Sequence, residues 1–240
     1  MRRALVAVAL VACKEDAPTG PCERGAQLAV HEVDNDSAYM KALYAHVGSD
    51  RGAPQDPAAR AAGVHAEDEE WQPRTPTDMD DLPLEPGPRQ TDYYLFAHDR
   101  DALHRYLAAS PAPPADRTIA FEYVRPIDER GRPLWRTHYL VKQPALDTAA
   151  LADVLQREDQ NTGRPVLMAK LTPAARETFR ALTARSSKSA KKIAIVVDGE
   201  VTSAPIVRSE IPGGRIQITN AAEQVAALAP KLACVTSPAR

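Results

Sequence analysis

Lys191 to Thr219 reads KKIAIVVDGEVTSAPIVRSEIPGGRIQIT, and its punctuation decides the fold. Ile193 to Val197 is a short β-branched run, the composition of a strand buried on both faces. Asp198-Gly199 follows, a pair that tolerates the positive φ angles of a tight hairpin turn. Ser203-Ala204-Pro205 then brings a proline with no N–H to give to a ladder, so regular pairing must stop there. Gly213-Gly214 makes a second turn, after which Ile216 and Ile218 alternate with polar neighbours as in a half-buried strand. No residue in the block is an obvious nucleophile, base or metal ligand. It reads as architecture.

The block resembles the first periplasmic domain of SecD, a membrane component that assists the Sec protein-export channel. The family pattern runs roughly GK-x-LAIVLDG-x-V-x-SAP-x-I, then I-x-GG and a strand ending in glycine. This chain keeps Ala194-Ile195-Val196-Val197-Asp198-Gly199, Val201, Ser203-Ala204-Pro205, Ile211 and Gly213-Gly214. It departs in two places: SKSAKK stands where a Gly-Lys turn is expected, and Asn220 replaces the closing glycine. Upstream, NTGRPVLMAKLTPAARETFRALTAR is similar to the family's preceding strand and helix. VDNDSAYMKAL, DYYLFAHDRDALHRYL and WRTHYLV resemble a variant with an enlarged first domain, so the likeness covers about residues 26 to 232.

The N-terminus carries a second signal. Arg2-Arg3 precede a short apolar run, Ala4 to Ala12, the layout of a secretory signal peptide. The run is too short to span a bilayer, which takes about 20 residues. It ends Leu10-Val11-Ala12-Cys13, similar to a bacterial lipobox, which makes Cys13 the expected lipidation site; an ordinary signal peptide is the alternative. Later segments offer no stretch apolar enough for a transmembrane helix. Cys22 and Cys234 either bridge in an oxidising compartment or are unrelated thiols.

The reading divides the chain into a signal peptide (1–12), a solvated tether (13–25), an N-terminal module (26–133) and a head-like module (134–235). In the first module, a strand at Gln27–Val33 leads to a helix with Met40, Leu43, Tyr44 and Val47 on one stripe, stopped by Gly48. Residues 50–90, rich in proline and acids, read as a long irregular loop pinned by Trp71. DYYLFA, a helix capped by Asp99 and a strand at Thr118–Val124 follow. The second module opens with a strand at Trp135–Lys142, then a helix capped by Asp147 that presents Leu151, Val154 and Leu155. A strand at Pro165–Leu171, a helix started by Thr172-Pro173 and a final helix with Ala222, Val225, Leu228 and Leu232 on one face complete it. The expected class is α+β: two small α/β sandwiches with mostly antiparallel or mixed sheets.

Few residues carry the spacing of a catalytic or metal site. Ser189-Ala190-Lys191-Lys192 satisfies Ser-x-x-Lys, but it sits in a polar turn without the partner motifs of a β-lactamase. His98, Asp99, Asp101 and His104 lack the i, i+4 spacing of a helical metal pair, and capping by Asp99 explains them better. A turn role beside Gly199 accounts for Asp198. The run Glu67 to Glu70 lacks the spaced ligands and glycine of a calcium loop. A formal charge of -2 gives no global drive toward nucleic acid. No metal, cofactor or nucleic acid is expected, and the chain reads as a non-catalytic protein.

The resemblance implies contact with an exported or unfolded polypeptide, or with Sec translocon components, outside the cytosol. A lipid anchor would supply the membrane association. Trp71, Val201, Ile206, Val207 and Ile211 are the side chains expected to meet such a partner, through an apolar cleft or sheet edge. The competing reading is an envelope scaffold on the same fold, since fold alone does not fix function.

Overall fold

Strand β1 (Leu28–Glu32) lies near the start of the sequence and in the interior of an eight-stranded sheet. The computed structural model describes residues 26–48, 56–71, 89–125, 131–159, 162–219 and 222–236. The remaining elements of the first half are α1 (Ala38–Val47), α2 (Pro57–Ala62), β2 (His65–Trp71), β3 (Gln90–Ala97), α3 (Arg100–Ala109) and β4 (Arg117–Val124). The second half holds β5 (Leu134–Val141), β6 (Leu146–Asp147), a 3-10 turn (Thr148–Ala150), β7 (Leu151–Glu158), β8 (Pro165–Leu171) and α4 (Pro173–Lys188). It continues with β9 (Ile193–Val197), β10 (Glu200–Ser203), β11 (Arg215–Thr219) and α5 (Ala222–Thr236).

The large sheet runs β2-β3-β5-β4-β10-β9-β1-β6, and a smaller one runs β11-β8-β7. Every pairing is antiparallel except β4 with β10, so the α+β class with mostly antiparallel sheets holds. Both halves of the chain contribute to the same large sheet, and the step from residue 133 to 134 falls at the start of β5, which pairs with β4.

The helices start and stop where the sequence says they should. Ser37 accepts the Met40 N–H to cap α1, and Gly48 at φ 78 ends it. Asp99 caps α3. Thr172 accepts the Ala175 N–H to cap α4, with Pro173 in the first turn.

Two elements differ from expectation. Within the stretch read as a loop over 50–90, residues 57–71 fold into α2 and β2, because Asp56 caps α2 and all of β2 pairs with β3 from His65↔Phe96 to Trp71↔Gln90. Asp147 does cap a turn, but only the single one at Thr148–Ala150; the expected helix beyond it is strand β7. A bulge between Leu151 and Asp153 turns Leu151 and Val154 to the same side although they are three apart, which mimics helical spacing.

One face of the large sheet carries two cores. Over β2–β3–β4, Val47, Ala59, Leu103 and Tyr106 from the helices pack with Leu95, Ala97 and Phe121. Over β1 and β9, Leu28, Val30, Ile193, Ile195 and Val197 pack with Phe179 and Leu182 of α4, the inner face of the small sheet, and Val225 and Leu232 of α5. Burying a side chain such as Leu or Ile contributes about 1.5–3 kcal/mol relative to leaving it exposed.

The opposite face curls on itself. Val33 bridges Leu140, and Asp34 N donates to Tyr139 O at 2.8 Å, so the end of β1 closes a ring through β9, β10, β4 and β5. The interior is narrow and filled accordingly: Val33, Ala120, Leu140, Ala194, Val196 and Val201, with Ala29 and Ala204 against them. β3 pairs with β5 only at Phe96↔Arg136 and Ala97↔Trp135. Where the two strands splay, buried Asn35 fills the seam, its Oδ1 accepting from Tyr139 N at 2.7 Å and its carbonyl accepting from Tyr93 N at 3.3 Å.

Candidate functional site

The motif residues turn out to be fasteners. Asp198 and Gly199 have φ of 51° and 83°, the two left-handed positions of the β9–β10 turn. Asp198 also grips the start of β1: its carboxylate accepts from Gln27 N at 2.9 Å, and its own N–H donates to Gln27 O at 2.9 Å. Ser203-Ala204-Pro205 ends β10 after a bulge against β9, and pairing resumes beyond the proline. There Ile193 N donates to Pro205 O at 3.2 Å, Ile206 bridges Lys192, and Val207 N donates to Lys191 O at 3.0 Å. Gly214, at φ 58°, accepts from Leu171 N at 2.9 Å; a Cβ there would come within 2.7 Å of Arg176 Cγ. Gly213 has open space where a Cβ would stand.

Of the five side chains expected to meet a partner, two are core. Val201 is 3% exposed and packs inside the ring, and Val207 is 4% exposed in the core over β9. The bulge and the resumed pairing turn both inward, so they cannot touch a partner without unfolding. Ile206 is half-buried against Lys192. Ile211 is 36% exposed, its N–H held by Thr183 Oγ1 at 3.0 Å. Trp71 is half-buried at the end of β2, where its Nε1 donates to Ala190 O at 3.3 Å. Cys13 and Cys22 lie outside the described residues, as does the side chain of Cys234.

Trp71 belongs to an ionic clasp that sequence reasoning missed. Lys192 Nζ sits 4.6 Å from the Trp71 ring centre, 2.9 Å from Asp92 Oδ2 and 3.0 Å from Glu69 Oε2. Lys192 and Asp92 are each 7% exposed at the side chain. A cation at the head of β9 thus holds the β2–β3 hairpin from across the curled sheet. The only hint in the sequence was a lysine directly before an all-apolar strand.

A second cluster lies between β4 and β5. Glu122 Oε2 accepts from Arg136 Nε and from His138 Nε2, both at 2.6 Å. Burial alone would push the Glu122 carboxyl up, but the hydrogen bonds and charges of His138 and Arg136 outweigh it and hold it at about 2. An ionised carboxylate only accepts, so His138 Nε2 carries the proton, and among the described residues its buried Nδ1 has no partner. Burial, reinforced by Glu67, raises the Tyr94 hydroxyl well above its usual range. Asp99 caps α3 by accepting from Asp101 N, His98 Nδ1 lies 2.8 Å from Pro133 O, and His104 packs on Phe121 at 4.1 Å. Among the described residues no group of three or more His, Cys, Asp or Glu is arranged to hold a metal ion.

The outer face of the small sheet is different in kind. A concavity of about 350 Å³ is lined by Asp153, Leu155, Arg157, Met168, Lys170 and Arg215. Lys170 lies directly opposite Arg215 on one neighbouring strand and Asp153 on the other, and Leu155 lies opposite Met168. Leu155 is 41% exposed.

Residues 123–235, just under half of the chain, match the model of the SecDF P1 head subdomain. The protein translocase subunit SecD of Calditerrivibrio nitroreducens is 31% identical over 132 residues, which make up 54% of this chain and 24% of that protein. The chain therefore spans about a quarter of the length of that relative. Among solved structures, SecDF described as a membrane component that enhances protein export is 19% identical with a TM-score of 0.36, over 85% of this chain and 92% of that one. SecDF of Thermus thermophilus, described as a translocon-associated membrane protein, is 18% identical with a TM-score of 0.34, over 90% and 30%. Over residues 123–235, then, the chain is similar to the SecDF P1 head subdomain, and over 132 residues it is similar to SecD.

Proposed function

We propose that this chain is a non-catalytic envelope protein that assists protein export by binding an exported, partly unfolded polypeptide or a component of the Sec translocon. The match of residues 123–235 to the SecDF P1 head subdomain is the observation that carries the reading. The geometry is compatible with it: the charged clusters in the large sheet are consumed in holding strands together, and the surface left over is a sheet face rather than a catalytic cleft. Among the described residues no helix is long and apolar enough to cross a membrane. Membrane association is assigned to a lipid on Cys13 after removal of residues 1–12, which would moor the protein in the periplasm or cell envelope.

Photo-crosslinking in cells tests the reading. A photoreactive residue at Ile211 or Leu155 should trap secreted chains or Sec components, identified by mass spectrometry. Recovery of neither, from cells actively exporting protein, refutes the export role. Cys13→Ser should release the protein from the membrane fraction, and unchanged association refutes lipidation there.

A further inference from the structure

The geometry points to the outer face of the small sheet as a binding site for extended polypeptide segments that combine acidic and apolar side chains. This rests on the export reading above and names the class of segment taken.

Several arginines of the described residues are matched: Arg136 with Glu122, Arg117 with Asp34, Arg100 with Glu200, Arg180 with Glu210 and Arg185 with Glu32. Arg157, Lys170 and Arg215 line one concavity and none has an acidic partner within ion-pair distance among the described residues. Lys170 and Arg215 face each other across neighbouring strands, where like charges repel. Asp153, the one carboxylate in the lining, leaves an excess of two positive charges. A chain of net charge -2 has acids to spare, yet this face is left cationic.

The apolar part sits between the charges. Leu155 and Met168 form one cross-strand pair, flanked on one side by the Asp153–Lys170–Arg215 row and on the other by Arg157. Rows one pleat repeat apart match the side-chain spacing of an extended peptide, whose same-face residues repeat every two positions. An apolar side chain over Leu155 and Met168 would set acidic neighbours two positions away against the cations. β7 is also the edge strand of the small sheet, the position at which a strand can be added. The concave shape suits such a segment better than the flat surface of an anionic bilayer.

The test uses the full chain and three fluorescent peptides of one length with serine at every second position, so that on the other face leucine alternates with glutamate, glutamine or lysine. Anisotropy should rank their affinities glutamate, glutamine, lysine, and the glutamate peptide should weaken as salt rises. K170E/R215E should lower its affinity about tenfold or more and favour the lysine peptide, while K170Q/R215Q should level the ranking. Both variants change exposed positions, so circular dichroism and melting temperature should match the parent. Equal affinity for all three peptides, or a ranking unmoved by charge reversal, overturns the proposal. Binding to phosphatidylglycerol vesicles that K170E/R215E abolishes, with no binding of the glutamate peptide, makes the face membrane-directed and also overturns it. If K170E/R215E still crosslinks to secreted chains in cells as the parent does, the export reading stands and this site falls; if neither protein crosslinks, the export reading falls.

Discussion

Two charged regions of this molecule obey opposite rules. In the large sheet, Lys192 meets Asp92 and Glu69, and Glu122 meets Arg136 and His138, with side chains of Lys192, Asp92, Glu122 and His138 at 15% exposure or less. On the small sheet, Arg157, Lys170 and Arg215 are exposed and outnumber the one carboxylate that lines the same concavity, Asp153. Charge inside the first region is tolerated because it is paired, and its removal strands a partner. Charge on the second is unpaired because water solvates it, so it is available to something else. Stability and recognition should therefore separate cleanly between the two.

The largest effect should come from breaking the clasp. Asp92→Ala leaves Lys192 buried with one half-exposed carboxylate, and urea unfolding should show a loss of about 3–5 kcal/mol. Replacing both, as K192M/D92L, should recover most of that loss, since an apolar pair of similar volume needs no compensating charge. A double variant as weak as the single one would mean that the clasp stabilises by something other than pairing.

Next is Glu122. Its carboxyl is held below its unfolded value, so the stability it contributes is present above about 4.5 and drains as pH falls toward about 2. The shift corresponds to about 3 kcal/mol at neutral pH. Unfolding free energy measured against pH should fall through that window in the parent and more shallowly in Glu122→Gln.

Glycine positions should give a smaller, graded result. Gly214→Ala combines a left-handed backbone with a collision at Arg176 Cγ, and should cost about 1–3 kcal/mol. Gly199→Ala meets no neighbour, so only the backbone term remains, about 1 kcal/mol. Thermal melts of the two variants should keep that order.

The smallest effect belongs to the cationic face. Lys170→Gln and Arg215→Gln should each change unfolding free energy by about 0.5 kcal/mol or less, in the stabilising direction for Arg215→Gln, which relieves the like-charge pair, and nearer zero for Lys170→Gln, which also gives up its place opposite Asp153. A large loss would place these side chains in the architecture and remove the contrast.

Much of the framework could be read from the residues. β9 is buried along its length as its β-branched run implies, and Asp198-Gly199 makes the expected turn. What escaped was set by partners distant in sequence. β2 carries no apolar alternation at all; its acids become a strand because β3 supplies the hydrogen bonds and Lys192, 123 positions away, supplies a counter-charge. β7 misled because one inserted residue gave Leu151 and Val154 the spacing of a helix face. Pro205 predicts a break in pairing between Val201 and Val207, whereas the chain resumes its pairing within one residue of that proline and buries both valines. The clasp and the Glu122 cluster left no local trace, since each gathers groups from two or three strands.

The position of β1 has a consequence for biogenesis. Its neighbours on either side are β9 and β6, and the bond between Gln27 and Asp198 joins residues 171 positions apart. A ribosome or a channel delivers the chain from its N-terminus onward, so the segment that completes the ring arrives first and waits for the last third to emerge. Until then its apolar strand has no native partner, and non-local closure of this kind is slow. Between the synthesis of β1 and that of β9 the large sheet is accordingly obliged to remain open.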